Sequence, residues 1–451
     1  MRIGRDHGKL SSLSKDFNLE TLAGGEIPTL VSEALEESGK AEARYSPLHP
    51  RFVLWLVVGL MLWRHDSIPA VFGRLISGVR GRFGDLSLKA VTEGALSHAR
   101  KRLGIEPMRK FFRQLARTVS PAASFVGLRV WVIDGTHLSA QDTPENLRVF
   151  GRRNSSRGRT AFCEITMVCL VDAARHLVRD AVFGLRNASE VNAAYRLVRH
   201  LSDGDLVILD RLFCGLPLMR QVLGRGAHFL CRASSGVNLY PIPGTQEAHQ
   251  YEAWMTRRDM PPLRVRVIDF CLSGYGRIRL ATSLLDRATY PAVELALLYH
   301  RRWEAEIAFD EIKTHQNANA HGQLQTTFRS KTPRNVMQEA YALLVAYNLM
   351  RSTMANAAQE ARIDPRQLSF LDSLRVIQWM MPRMQSASSD GLPALYRQLL
   401  SDLAGTRLDR WRRHRAYPRV IRVKTVRLPV KRTEHRQILQ NMEDLVRRAV
   451  A

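Results

Sequence analysis

Two short apolar runs, Leu128–Asp134 (LRVWVID) and Asp205–Asp210 (DLVILD), each close on an aspartate. Runs of this length and composition read as strands buried on both faces, and such strands belong to a sheet covered by helices. Between them lie two more strand-like stretches, Ala161–Asp172 and His176–Phe183, and then Asn187–Leu201, which reads as a helix opened by Ala188-Ser189-Glu190. Leu216–Leu223 continues as a helix and Gly226–Arg232 as a strand. Three adjacent strands followed by helix, strand, helix and strand predict an α/β fold, a mixed sheet with flanking helices. In such a sheet, adjacent strand ends can set two carboxylates within a few ångström of one another.

A third carboxylate comes from the stretch Tyr299–Lys313 (YHRRWEAEIAFDEIK), which has no Gly or Pro and reads as one helix. At roughly 100° per residue, Tyr299, Arg302, Glu306 and Lys313 share an arc of roughly 60°. Leu298, Ala305, Phe309 and Ile312 form the apolar arc beside it, and Glu304 and Glu311 point elsewhere. Taken alone, the polar row is either a solvated face with spaced ion pairs or one acid set between cations that meet phosphate oxygens. Asp134, Asp210 and Glu306 together offer hard oxygen ligands of the kind Mg²⁺ takes, and two such ions suit phosphoryl transfer.

Charge bears on that choice. The 451 residues carry 67 Lys plus Arg against 42 Asp plus Glu, a net charge of +25, which favours polyanions and above all nucleic acid. A glycoside hydrolase built on the same acids would have no need of this field. Five cysteines (Cys163, Cys169, Cys214, Cys231, Cys271) without metal-ligand spacing read as free thiols in a reducing cytoplasm. The longest apolar run, Phe52–Trp63, is too short to cross a bilayer and reads as a buried helix, and the N-terminus has no export signal core.

Around this centre, Glu93–Leu103 reads as a short basic helix with Thr92 as its N-cap. It is either a DNA reader exposing Ser97, His98, Arg100, Lys101 and Arg102 or an ordinary basic surface helix. Arg152–Arg159 is either a phosphate-contacting loop or a solvated basic hairpin. Pro and Gly punctuate short strand-like runs between Tyr240 and Asp286, a β-rich insertion. Asn335–Ala355 is a strongly apolar helix. Residues 401–451 hold 14 Lys plus Arg and 5 Asp plus Glu, and Tyr417–Arg432 reads as an extended basic arm or a solvated tail.

The spacing Tyr299–Arg302–Glu306–Lys313 resembles, without a gap, the signature of DDE transposases of the bacterial insertion sequence 4 family. VIDGTHLS around Asp134 and LVILDRLF around Asp210 resemble that family's first two acidic motifs, and HPRFVLWLVVGLMLWR and VTEGALSHARKRLG its N-terminal region. The resemblance implies an RNase H-like core with Asp134, Asp210 and Glu306 as catalytic, metal-holding acids on two Mg²⁺ ions, Mn²⁺ being able to substitute. It also implies that Tyr299, Arg302 and Lys313 grip the transposon end beside a flipped nucleotide, with Arg232 a further contact and Arg100 and Arg102 as N-terminal DNA contacts. Some relatives stack that base on an insertion-domain Trp; here Trp254 stands in the insertion, and Trp303 lies on the signature helix itself. His137, three residues past Asp134, is left out of the metal set, and Asp310 breaks the signature spacing.

The domains expected are a helical DNA-binding domain over 1–120, catalytic core over 121–235 and 289–355, a β-rich insertion over 236–288, and a helical, basic C-terminal region over 356–451. The expected activity is metal-dependent cleavage and strand transfer at terminal inverted repeats of an insertion sequence, by cut-and-paste with a hairpin intermediate. A homodimer would act in the synaptic complex on transposon ends and target DNA, in the bacterial cytoplasm at the nucleoid, with no membrane partner. The alternative is a catalytically inactive DNA-binding repressor derived from such an enzyme.

Overall fold

The computed structural model describes residues 27–41, 48–83, 91–121, 123–155, 158–186, 188–272, 276–317, 327–388, 390–408, 415–416 and 440–450. The basic stretch Tyr417–Arg432 lies outside the described residues.

Five helices come first: α1 (Ile27–Glu36), α2 (Pro50–Leu62), α3 (Ile68–Phe83), α4 (Glu93–Leu103) and α5 (Glu106–Thr118). Apolar on every side, α2 is buried along nearly its whole length, as the run Phe52–Trp63 predicts. The Thr92 hydroxyl accepts from the Ala95 N–H at 3.2 Å and starts α4, and Gly104 ends it at φ 79°, a left-handed backbone that glycine adopts without strain.

The sheet is built from β1 (Arg129–Ala140), β2 (Cys163–Asp172), β3 (Val178–Gly184), β4 (Asp205–Leu209) and β5 (His228–Arg232), with α6 (Pro144–Val149) after β1, α7 (Glu190–Leu197) before β4 and α8 (Leu216–Leu223) before β5. Its order here is β3-β2-β1-β4-β5; β2 runs antiparallel to β1 and β3, whereas β4 is parallel to β1 and to β5. This is the mixed α/β sheet, in RNase H-like order, that the sequence predicts. A short hairpin, Asn154–Ser155 against Gly158–Arg159, occupies the basic stretch between β1 and β2.

The Pro- and Gly-punctuated segment supplies β6 (Asn238–Pro241), β7 (Gln250–Arg257), β8 (Met260–Leu272) and β9 (Gly276–Thr282). These strands continue the same sheet, because β9 pairs antiparallel with β5 and β8, β7 and β6 follow outward.

Next come α9 (Ala292–His300), α10 (Trp303–Lys313), β10 (Thr327–Phe328), which joins the end of β1, α11 (Pro333–Glu360), α12 (Phe370–Ser386), α13 (Leu392–Ala404) and α14 (Met442–Val450). Successive residues of β1 face opposite layers. Val130, Val132 and Leu138 join a core with α2, α5, α10 and α11; Trp131 and Ile133 join a second core with α7 and α8.

Two sequence expectations are corrected here. Tyr299–Lys313 is not one helix: the amides of Arg301, Arg302, Glu304 and Ala305 each bond the carbonyl three residues back, a 3₁₀ link between α9 and α10. The partners differ on either side of it, α9 packing on α14 and β5 and α10 on β1 and α11, so the link lets each satisfy its own contacts. Propensity carries no signal of such a turn. Nor does Asp134 end its strand. Pairing of β1 with β4 stops at Ile133–Leu209, but β1 runs on to Ala140 against β2.

Candidate active site

Asp134, still within β1, and Asp210, just past the end of β4, stand side by side, because the parallel register that pairs Ile133 with Leu209 brings them to the same level. The Asp210 carboxylate accepts from the Arg211 N–H at 2.6 Å and caps a short 3₁₀ turn. Asp134 accepts from the Gly135 N–H at 2.8 Å.

From the helical side, Arg302 meets both remaining acids: Nη1 donates to Asp134 Oδ2 at 3.0 Å and Nη2 to Glu306 Oε1 at 2.6 Å. One guanidinium thus bridges a strand carboxylate and a helix carboxylate. Burial, ahead of the like charges of Glu306 and Asp210, pushes the Asp134 carboxyl up to about 6, against the pull of the Gly135 N–H and Arg302. The buried Tyr299 hydroxyl has no hydrogen-bond partner among the described residues. Burial and then the neighbouring Asp210 carboxylate raise its pKa, while the Arg232 charge opposes this.

Arg232 ends β5 and lines a groove of about 770 Å³ with Asp210, Arg277 and Arg279. Lys313 lies near His137, whose pKa is lowered by burial and by the Arg153 and Lys313 charges. Trp303 is 41% exposed, with the Arg302 guanidinium 5.3 Å from its ring centroid, whereas Trp254 stands apart on β7, 42% exposed.

The structure therefore gathers Asp134, Arg302 and Glu306, and sets Asp210 and Tyr299 beside them. It does not collapse the three acids onto one point: among the described residues no group of three His, Cys, Asp or Glu side chains stands close enough to hold an ion. The donors are nonetheless all hard carboxylate oxygens, with Arg302 supplying the positive charge between two of them, a chemistry that fits a divalent cation such as Mg²⁺.

Arg100 is a correction. It is 4% exposed, its Nη2 pairs with Glu339 at 2.8 Å and bonds Ser330 at 3.2 Å, and its Nε donates to Gln338 at 3.3 Å. A buried guanidinium spent on a carboxylate cannot reach DNA. Arg102, two residues on, is exposed.

What the sequence missed lies behind α10. His176, fully buried at φ 62°, meets Glu304 through Nε2 at 2.6 Å and accepts at Nδ1 from Arg351 at 2.8 Å. Arg351 Nε in turn bonds Glu311 at 3.0 Å, and the Tyr347 hydroxyl donates to the same carboxylate at 2.8 Å. Burial alone would raise the Glu311 carboxyl, but Arg351 and then His176 overturn it and hold it at about 2. The seven-residue interval from Glu304 to Glu311, two helical turns on one stripe, was the available signal.

Comparison with known proteins now decides the family. The transposase DDE domain matches residues 127–349, and the N-terminal domain of the insertion element 4 transposase matches residues 17–113. Transposase InsG of insertion sequence element IS4 from Escherichia coli is 30% identical over 443 residues, covering 95% of this chain and 98% of InsG. The chain belongs to the insertion sequence 4 family of DDE transposases. A distant likeness, with a TM-score of 0.44 at 13% identity, extends over 89% of this chain and 87% of a piggyBac transposase solved as a synaptic complex with hairpin DNA.

This family membership makes the chain a DDE-type transposase, an enzyme that acts on DNA and uses a divalent metal. Tyr299, Arg302, Glu306 and Lys313 fall within the matched DDE domain, as do Asp134, Asp210 and Arg232. Among the described residues no helix is long and apolar enough to cross a membrane.

Proposed function

We propose that this transposase cuts and rejoins DNA at the terminal inverted repeats of its own insertion sequence, with Asp134, Asp210 and Glu306 as the acids that hold its cation. The observation that carries the reading is the single guanidinium of Arg302 spanning Asp134 and Glu306. Two acids 172 residues apart in sequence share one counter-charge, in the arrangement a bound cation would replace. Asp134, Asp210 and Glu306 would hold the divalent cation, which would lower the pKa of the attacking oxygen and neutralise charge on the leaving one.

The chain's own residues do the rest. Released from its carboxylates, Arg302 is positioned to take a phosphate oxygen in a forked pair, and the unpartnered Tyr299 hydroxyl is free to donate to the same backbone. Lys313, near His137, and Arg232, beside Asp210, take further phosphates, and Arg102, exposed on α4, is a separate contact. In the first step a water oxygen bonds to phosphorus at the element's end and the 3′-oxygen leaves with a proton. In the second, that 3′-hydroxyl oxygen bonds to phosphorus of the opposite strand, closing a hairpin, while the flanking strand's 3′-oxygen leaves and takes the proton. Water attack on the hairpin phosphodiester expels the 3′-oxygen and regenerates the 3′-hydroxyl, which then bonds to phosphorus of target DNA as a target 3′-oxygen leaves. The enzyme works as a homodimer that pairs two ends in the cytoplasm.

The test is nicking and transfer of a fragment carrying the flanking inverted repeats, with Mg²⁺ or Mn²⁺ added. Wild-type protein should give free 3′-hydroxyl ends and hairpins, while Asp134→Asn, Asp210→Asn and Glu306→Gln still bind the fragment and give neither. Normal cleavage by any of these variants would overturn the assignment.

A further inference from the structure

Burial of Arg100 changes what α4 can offer to DNA. Its guanidinium is tied to Glu339, Ser330 and Gln338, and the Gln338 amide donates back to the Arg100 carbonyl at 3.0 Å and to the Gly104 carbonyl at 2.7 Å. These bonds lock the end of α4 onto α11. The loop before α11 is held just as firmly: the Thr143 hydroxyl bonds the Lys331 carbonyl at 2.7 Å, Asn146 bonds the Ser330 carbonyl at 3.3 Å, and the Arg329 guanidinium is spent on carbonyls of Trp63, Arg64 and Asp66.

Between the two elements runs a groove of about 400 Å³. Lys101 and Lys331 line it, both exposed and without an ion-pair partner among the described residues. The exposed Arg334 reaches across the end of α4, its Nη2 3.0 Å from where a side chain at Gly104 would begin. The acid in the wall is Glu93, so the groove stays net positive. Its floor is the N-terminus of α11, a 28-residue helix whose N-cap, Thr332, makes no side-chain capping bond. Asn335, only 8% exposed, faces the groove, and its amide has no hydrogen-bond partner among the described residues. The amide end of this otherwise buried side chain opens to the groove, and a helix N-terminus ringed by cations is matched to an anion.

We propose that this groove grips a backbone phosphate of duplex DNA, with Asn335 and the first amides of α11 donating to its oxygens and Lys101, Lys331 and Arg334 neutralising it and its neighbours. The inference rests on the DNA-transposition reading and places a sequence-independent grip at the junction of the N-terminal helices with the catalytic body. No base edge is read there, so the contact fixes register without adding sequence preference.

The experiment measures the affinity of the full chain for a random-sequence duplex by fluorescence anisotropy, over about 50 to 200 mM salt. The triple variant Lys101→Ala, Lys331→Ala, Arg334→Ala should lower the slope of log Kd against log salt by about 2 to 3, close to one unit per lost phosphate contact. Asn335→Asp, which aims a negative charge into the groove, should weaken binding in the same direction with the triple variant's fold unchanged by circular dichroism. An unaltered slope in the triple variant, while wild-type binding stays salt-dependent, overturns the groove and leaves the transposase reading standing. Wild-type protein that cleaves no end-bearing DNA and binds no duplex would instead bring down that reading, and the groove with it.

Discussion

The two sides of α10 carry the same kinds of residue to opposite ends. On the front, Arg302 is shared between Asp134 and Glu306, the Glu306 side chain is 37% exposed, and Asp134 is held above its ordinary range. On the back, Arg351, His176 and Tyr347 surround Glu311 out of contact with water, and its carboxyl is held at about 2. The back pairs its carboxylate with a buried guanidinium, although Arg351 Nη1 has no hydrogen-bond partner among the described residues; the front shares one guanidinium between two acids. A buried, mutually paired network fixes the helix, and a partly open one keeps its carboxylates accessible, as the proposed function requires. Under the proposed function, stability and chemistry divide between the two faces of one helix.

The largest effect expected from breaking this division is on the front. Asp134→Asn should abolish strand cleavage, yet unfold in urea at no lower concentration than wild type at neutral pH, because it removes a buried carboxylate that folding disfavours. A clear loss of stability would show the front to be structural as well.

On the back the pattern should invert. Arg351→Met leaves Glu311 buried without its main partner and should destabilise the fold by about 3–5 kcal/mol in equilibrium urea unfolding. Cleavage per folded molecule should stay near that of wild type.

pH separates the faces by sign. Glu311 is held below its ordinary 4.5, so its contribution to stability is present above that value and is lost as pH falls towards about 2. Asp134 is held above its ordinary 3.8, so its contribution favours the acid side and is lost as pH rises through about 6, the same range over which the ionised form needed for a cation appears. Cleavage should therefore climb through about pH 6, and the stability profile of Asp134→Asn should lack the fall between about pH 4 and 6.

The smallest expected change sharpens the comparison. Arg302→Lys keeps one charge but cannot fork between two carboxylates, so stability should move by no more than about 1 kcal/mol, while cleavage drops about tenfold through a weaker grip on phosphate. Equal losses in both measurements would mean that Arg302 serves the fold as Arg351 does.

Much of the front was legible in the chain. Buried strands announce themselves by apolar runs, so the levels of Asp134 and Asp210 follow from the sheet, and the apolar arc of Ala305, Phe309 and Ile312 is buried as its spacing predicts. The 3₁₀ link at Arg301–Arg302 was not, since it answers to different packing partners on its two sides rather than to local propensity. Arg100 was misplaced for the same reason. On a helical wheel it belongs to a basic face, and only the arrival of Glu339 from 239 positions away makes it a buried pin.

By itself, then, the sequence determined the class of sheet, the family and the appetite for a polyanion, and nominated the acidic residues proposed for the site, because periodicity, residue type and net charge are local or additive properties. Tertiary structure alone decided which cations were already spent. It committed Arg100 and Arg351 to buried carboxylates, shared Arg302 between two acids, and left Lys101, Lys331 and Arg334 facing water. Whether a charge is free depends on what folds against it, and that partner can stand anywhere in the chain.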